Sequence, residues 1–388
     1  MQDKKRRWFL PVAFLTLIFG LGVGNFGLHA GDYAADAAYV QANYQVPVYQ
    51  RAEALVERWT ATAADNMPGR EALVELDGLS RRLAGKKFVR DIDYSYSVVK
   101  DNHGWLQFIT FALEPKAIVQ DIASYQALGV PIMYIQPPTK FIEGYTEFPP
   151  TLHDKTAENV AENFALLEDA GVPVLDLRAA AEADALDKEQ MFYRTDHHWR
   201  VETAFWAVQQ TRAALAEEFG LLIDPDGYYS DPAHWQSAEY PQSFLGSQGR
   251  RVGRFYGGLD DFTLLTPDFA TDYEVEITQY GGKTSETVSG TFADAVLDMS
   301  KLSAPSVYTG RYDVYWGADY PIVRADNLAN EDGPRVLLIK DSYSLPYGAF
   351  LSAMVDELYM VDLRYYDIAD LAGYIEEIAP DLMLIMYS

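Results

Sequence analysis

The chain has 388 residues, of which 49% are hydrophobic and 14% aromatic, enough to build a core and to exclude disorder over most of its length. Its formal charge of −26 is the wrong sign for tracking phosphates, which excludes nucleic acid as a partner, and it disfavours docking on anionic lipid. With no cysteine, disulfides, thiolate nucleophiles, Cys-ligated zinc and iron–sulfur clusters are all excluded.

Lys4, Lys5, Arg6 and Arg7 precede an uncharged apolar run, Trp8–Leu28. A bilayer crossing takes about 20 such residues. Basic residues before the run predict an N-terminus in the cytoplasm and the bulk of the chain outside. Residues 1–30 therefore read as a cytoplasmic tip and a single-pass signal anchor. The competing reading is a cleaved signal peptide, with Leu28-His29-Ala30 as its processing site. Gly20, Gly22, Gly24 and Gly27 weaken the last turns of the run.

Residues 31–85 are rich in alanine with helical spacing interrupted at Pro47 and Pro68, the pattern of a helical stalk. Residues 86–112 alternate β-branched and aromatic side chains around a turn at Asn102-His103-Gly104. Regular alternation follows. Helices are expected over 117–128, 155–170 and 178–187, and strands over 130–135 and 172–175. The alternation resumes with strands over 336–339, 357–361 and 382–386 and helices over 346–355 and 368–378. Short apolar strands separated by helices predict a flavodoxin-like, three-layer α/β domain over 86–388, with a parallel sheet covered on both faces. Residues 225–330, rich in Tyr, Gly and Asp, read as an irregular or β insertion.

In open α/β sheets the ligand sits at the carboxyl ends of the strands. Ser342 lies there, after Arg335–Ile339 and before a helix, where backbone N–H groups face a reacting group. The same residues serve equally well as a plain helix cap. Two of the six histidines are adjacent in Asp196-His197-His198-Trp199, ahead of the amphipathic segment Val201–Phe219. A serine needs a base, and the base needs a carboxylate to fix its tautomer. Asp196 and His198 supply both from one short segment. Capping and metal ligation compete for these residues, but His29, His103, His153 and His234 are isolated and offer no further ligand spacing. No metal and no cofactor is expected.

Asp196-His197-His198-Trp199 resembles the signature of the DHHW protein family. Lys340-Asp341-Ser342-Tyr343 with Val361–Tyr366 is similar to that family's C-terminal end, and Asp65–Arg70 with Gly104-Trp105-Leu106 to its N-terminal part. That family is similar to the SGNH-like acetyltransferases of alginate and other exopolysaccharides, in which the Asp-x-His segment precedes the serine, as here. The resemblance implies an SGNH-hydrolase-like fold, Ser342 as nucleophile, His198 as base and Asp196 as its orienter. It also implies a polysaccharide acceptor and, as acyl donor, a multispanning membrane-bound O-acyltransferase; the anchor at residues 8–28 suits that placement. A secreted esterase and a non-catalytic, membrane-anchored polysaccharide-binding protein are the alternatives.

The sequence departs from that pattern at the oxyanion donors. In Trp316-Gly317-Ala318-Asp319-Tyr320-Pro321, Asp319 stands where an asparagine is expected, and an ionised carboxylate cannot donate. Asn327 or the Ser342 N–H are the substitutes. Lys140, after the strand at 130–135, reads as a loop anchor or as a contact for an acidic glycan. Arg250 and Arg251, following the conspicuous Ser243–Ser247, read as partners of local carboxylates or as contacts for an anionic polymer. Among the seven Trp and 27 Tyr, Trp199 is the residue expected to line the site.

Overall fold

The computed structural model describes residues 2–43, 47–281 and 284–388. The chain divides into two compact units, Met1–Asp77 and Gly78–Ser388.

In the first unit, helices run over Gln2–Leu28, Ala30–Asn43 and Val48–Asp65. They fold back on one another instead of extending. Phe26, Tyr33 and Trp59 form an aromatic cluster, Tyr33 Oη donates to Asn25 Oδ1 at 2.5 Å, and Asp36 accepts from Arg58 and Thr62. Among the described residues no single helix is long and apolar enough to cross a membrane. Phe14–Leu28 and Ala30–Gln41, bent by 72°, pass that test together.

In the second unit the strands are β1 (Phe88–Val89), β2 (Val98–Lys100), β3 (Leu106–Phe108), β4 (Ile132–Gln136), β5 (Val174–Asp176), β6 (Trp235–Phe244) and β7 (Asp260–Pro267). They continue as β8 (Tyr273–Thr278), β9 (Ser285–Gly290), β10 (Ile322–Asn327), β11 (Arg335–Lys340), β12 (Glu357–Val361) and β13 (Leu382–Met386). The eight-stranded main sheet has the order β5-β4-β13-β11-β12-β10-β8-β9. The first five strands are parallel and are the five apolar strands expected from the sequence. The last three are antiparallel, so the sheet is mixed and not parallel throughout. They come from residues 273–327, inside the stretch expected to be an insertion. The rest of that stretch includes the β6–β7 ribbon, and β1–β3 form a small separate sheet.

Successive residues of a strand face opposite sides of its sheet. Val336 and Leu338 join one core with the helices Val201–Phe219 and Ser344–Ser352, while Leu337 and Ile339 join another with Thr156–Asp169 and Ile368–Ile378. Both faces are therefore covered, which is why β11 reads as a continuous apolar run. The carboxyl ends of the parallel strands are left as the exposed working edge, and Ser342 stands two residues beyond β11.

Candidate active site

Ser342, His198 and Asp196 meet at that edge. Ser342 Oγ lies 2.8 Å from His198 Nε2, and His198 Nδ1 lies 2.5 Å from Asp196 Oδ1. With the Nδ1 proton donated to Asp196, the Nε2 lone pair faces the serine hydroxyl. Asp196 also accepts from the N–H of His198 at 2.9 Å and, through Oδ2, from that of Ser247 at 2.5 Å. Burial by itself would raise the Asp196 pKa. The charge His198 carries once it has taken a proton, its hydrogen bond and the Ser247 N–H outweigh it and hold the carboxyl well below its ordinary range. Asp196 is thus a fixed anion.

The histidine segment is held in place from several sides. Asp260, at the start of β7, accepts from the N–H groups of Arg194 and Thr195 and from the Thr195 hydroxyl. Gly246 and Gly249 donate to Thr195 Oγ1 and O. Gly246 has no room for a side chain: a Cβ there would lie 2.2 Å from Asp196 Cβ and 2.5 Å from Asp196 Oδ2. The glycine lets this loop close over the aspartate.

The serine turn is tied to the same segment. Tyr343 O accepts from Trp199 Nε1 and Tyr312 Oη, both at 3.0 Å, and Tyr343 Oη donates to His197 O at 2.5 Å. The His198 ring stacks on Tyr312, with centroids 4.0 Å apart and planes within 7°. Asp341 Oδ1 accepts from the Tyr343 N–H and fixes the turn. His197 has a different part: its Nδ1 lies 2.7 Å from Ser247 Oγ, and burial with the neighbouring His198 pushes its pKa down to about 3, so it stays neutral. Asp196, His197 and His198 stand close enough to offer a metal three ligands, but Asp196 Oδ1 and both His198 nitrogens already take part in the hydrogen-bonded chain.

The other candidates are placed differently. Trp199 is fully buried, so it does not line the site; it anchors the serine turn from behind. Lys140 is buried and donates to Leu106 O, Arg194 O, Asp196 O and Gln248 Oε1, which makes it an anchor of the histidine loop and leaves no proton for a glycan. Asn327 is at the wrong end of the sheet. Because β10 runs antiparallel to β12, Ile322 pairs with Val361 at the working edge, and Asn327 lies at the opposite edge, donating to Ser352 O. Asp319 does sit at the working edge but accepts from Lys340 at 2.5 Å and lies 2.8 Å from Arg364. Burial opposes its charge, but those two cations lower its pKa, so it is an acceptor and not an oxyanion donor. The Ser342 N–H has no protein acceptor among the described residues, and neither has that of Gly317. Arg251 pairs with Asp91 at 2.7 Å and covers the Tyr96 ring, and Arg250 reaches Tyr308 O at 3.4 Å.

Sequence reasoning missed Gly246, Ser247, Asp260, Tyr312 and Tyr343. Two of the sequence signals touched them without assigning a role: the Ser243–Ser247 stretch before a basic pair, and the Lys340-Asp341-Ser342-Tyr343 motif.

A family model described as the SGNH hydrolase-like domain of acetyltransferase AlgX matches residues 116–242, a stretch that contains Asp196 and His198 and stops before Ser342. Comparison with curated proteins finds no match. Among solved structures, Bacillus cereus PatB1 with a sulfonyl adduct superposes with a TM-score of 0.59 at 18% identity, covering 75% of this chain and 93% of that one. A DHHW family protein from Eubacterium siraeum superposes at 0.56 and 18% identity, covering 78% of this chain and 93% of that one. The fold is SGNH-hydrolase-like with a mixed sheet, and the chain is similar both to the AlgX-type acetyltransferase domain and to a DHHW family protein.

Proposed function

We propose that this chain is an extracytoplasmic O-acyltransferase that moves an acyl group, acetyl above all, through Ser342 to hydroxyls of a cell-surface or exported polysaccharide. The carrying observation is the unbroken chain from Ser342 Oγ through His198 to a buried, ionised Asp196. The match to an acetyltransferase domain model supports acyl transfer as the reaction class.

In the first half-reaction Ser342 Oγ attacks the acyl carbonyl while His198 Nε2 takes the hydroxyl proton. The oxyanion is met by backbone N–H groups, that of Ser342 first, because Asp319 cannot donate. Collapse breaks the bond to the donor's leaving group, which takes the proton from His198 and leaves an ester on Ser342. In the second half a sugar hydroxyl gives its proton to His198, attacks that ester, and releases Ser342 Oγ, which recovers the proton. Asp196 holds the ring and offsets its positive charge in both halves. In this reading the apolar run at residues 8–28, part of which belongs to the bent helix pair, serves as the membrane anchor with the N-terminus in the cytoplasm, and a multispanning membrane-bound O-acyltransferase supplies the acyl group.

Intact-protein mass spectrometry tests this reading. The wild type should gain one acetyl group from an activated acetyl ester and one sulfonyl group from a sulfonyl fluoride, and Ser342→Ala neither. Rapid hydrolysis of the acetyl adduct with no transfer to any glycan would favour an esterase. Absence of both adducts from the wild type would leave a binding protein.

A further inference from the structure

We propose that the cleft beside the triad is an acceptor subsite shaped for an uncharged pyranose unit; this rests on the acyltransferase reading and specifies its substrate class. The cleft encloses about 340 Å³ and has His197 and Tyr343 on its triad side. Its floor is the end of β4, with Tyr134 and Gln136, and its walls carry Asn163 from the helix Thr156–Asp169 and Gln248 from the helix Ser247–Val252.

Three amides of the lining, Asn163, Gln136 and Gln248, have incomplete hydrogen bonds, and the Tyr134 phenol stands against the Asn163 side chain. Asn163 Oδ1 is buried and has no protein partner. Gln136 commits Nε2 to Pro137 O and keeps Oε1, whereas Gln248 commits Oε1 to Lys140 and keeps Nε2. Burial raises the Tyr134 pKa, so its hydroxyl remains a donor. A buried acceptor without a partner costs about 1–3 kcal/mol, so such atoms in a cleft mark where a ligand's donors belong. Sugar hydroxyls both donate and accept, which suits a mixed array of this kind. Phe108 and Tyr387 add aromatic faces for the ring's C–H groups.

Charge argues against an acidic sugar. The one buried cation on the wall, Lys140, is consumed by four oxygens of the protein. The exposed Lys116, whose Nζ lies 5.5 Å from the centre of the Tyr387 ring, is balanced in the same lining by Glu114. A carboxylate beside the Asn163 and Gln136 acceptors would have no buried cation to compensate it, only the exposed Lys116 that Glu114 balances.

Calorimetric titration of the full-length Ser342→Ala protein in detergent tests the subsite without turnover. The probes are cellotetraose, xylotetraose and chitotetraose as neutral ligands, and tetragalacturonate as the anionic one. At least one neutral tetramer should bind saturably, and tetragalacturonate about tenfold or more weakly. Asn163→Leu and Gln136→Ala, each checked for an unchanged melting temperature, should each weaken the neutral ligand roughly tenfold, the loss expected for one buried hydrogen bond. No saturable neutral binding, equal affinity for the acid, or unchanged affinity in both variants would overturn the proposal. Neutral binding by a protein whose wild type never acquires a Ser342 adduct would keep the cleft and overturn the acyltransferase reading instead.

Discussion

The Tyr343 hydroxyl donates to the main-chain carbonyl of His197 at 2.5 Å, joining the residue after Ser342 to the residue before His198. The two are 146 positions apart in sequence. This bond, with those from Trp199 and Tyr312 to Tyr343 O, sets the gap across which the serine proton travels. Tyr343→Phe removes only the hydroxyl. We expect the fold to survive and the rate of acyl-serine formation to fall about tenfold, since small misplacements at a reacting centre cost that much or more. Stopped-flow measurement of ester consumption reads it; an unchanged rate would show that the other two bonds suffice.

Gly246→Ala is a test by volume. The added methyl would overlap Asp196 Cβ and Oδ2, so either the loop or the carboxylate must move. Either movement breaks the Ser247 N–H bond to Asp196 or the Asp196–His198 pair. We predict a loss of roughly 100-fold in acylation rate. Gly31→Ala, at a position with nothing near its Cβ, is the control and should leave the rate unchanged.

The adjacent histidines should separate cleanly. His198→Gln removes the base and should abolish acylation, as loss of a triad base does elsewhere by about 10⁴-fold or more. His197→Asn should cost far less, because His197 touches Ser247 and not Ser342. It also carries a pH signature. The folded state holds His197 neutral down to about pH 3, whereas the unfolded chain protonates it near its ordinary value of about 6.5. Its contribution to stability is therefore present above pH 6.5 and lost as pH falls toward 3. Urea unfolding between pH 7 and 4 should show a shallower acid loss in His197→Asn than in the wild type.

Lys140→Met should unfold the histidine loop before it affects anything else. The side chain is buried and serves four acceptors; its removal takes the ammonium from Leu106 O, Asp196 O and Gln248 Oε1, while Arg194 O keeps the Leu106 N–H, at a cost of about 3 kcal/mol or more. The urea midpoint should drop, and loss of activity should follow it. A variant as stable as the wild type would mean that water replaces the ammonium at no cost.

Alkaline pH probes the core. Burial pushes the Tyr273, Tyr312, Tyr315, Tyr343 and Tyr347 hydroxyls above the ordinary phenol range. Above about pH 10 the unfolded chain releases these protons while the folded one keeps them, so stability is full below that pH and falls as pH rises. Each such tyrosine contributes about 1.4 kcal/mol per pH unit. Thermal melts should be flat from pH 8.5 to 9.5 and then decline steeply; a gradual decline from pH 8 would assign the effect to other groups.

The triad and the parallel half of the sheet were legible in the sequence for different reasons. Val336–Ile339 and Leu382–Met386 are apolar because both faces are covered, and that pattern survives without any knowledge of partners. His198 stood out because the chain has only six histidines, Asp196 because it adjoins the histidine pair, and Ser342 because it follows an apolar strand. The antiparallel half was concealed. Tyr273, Val275 and Ile277 alternate as a half-buried strand does, but the surrounding Tyr, Gly and Asp masked the period. Asn327 was misplaced for the same reason, since strand direction decides which edge a residue reaches. Trp199, Tyr312 and Asp260 act through main-chain contacts across long separations, and composition carries no trace of those.

Asp196 and His198 travel on one segment, locked by the 2.5 Å bond between them, while Ser342 rides on another. Between Ser342 and His198 the two segments meet across the 2.8 Å contact, and the bonds from Tyr343 to His197, Trp199 and Tyr312 set its length. Sliding one loop against the other would part Ser342 from His198 while leaving the Asp196–His198 pair whole, so the proposed activity could be switched off without dismantling that pair.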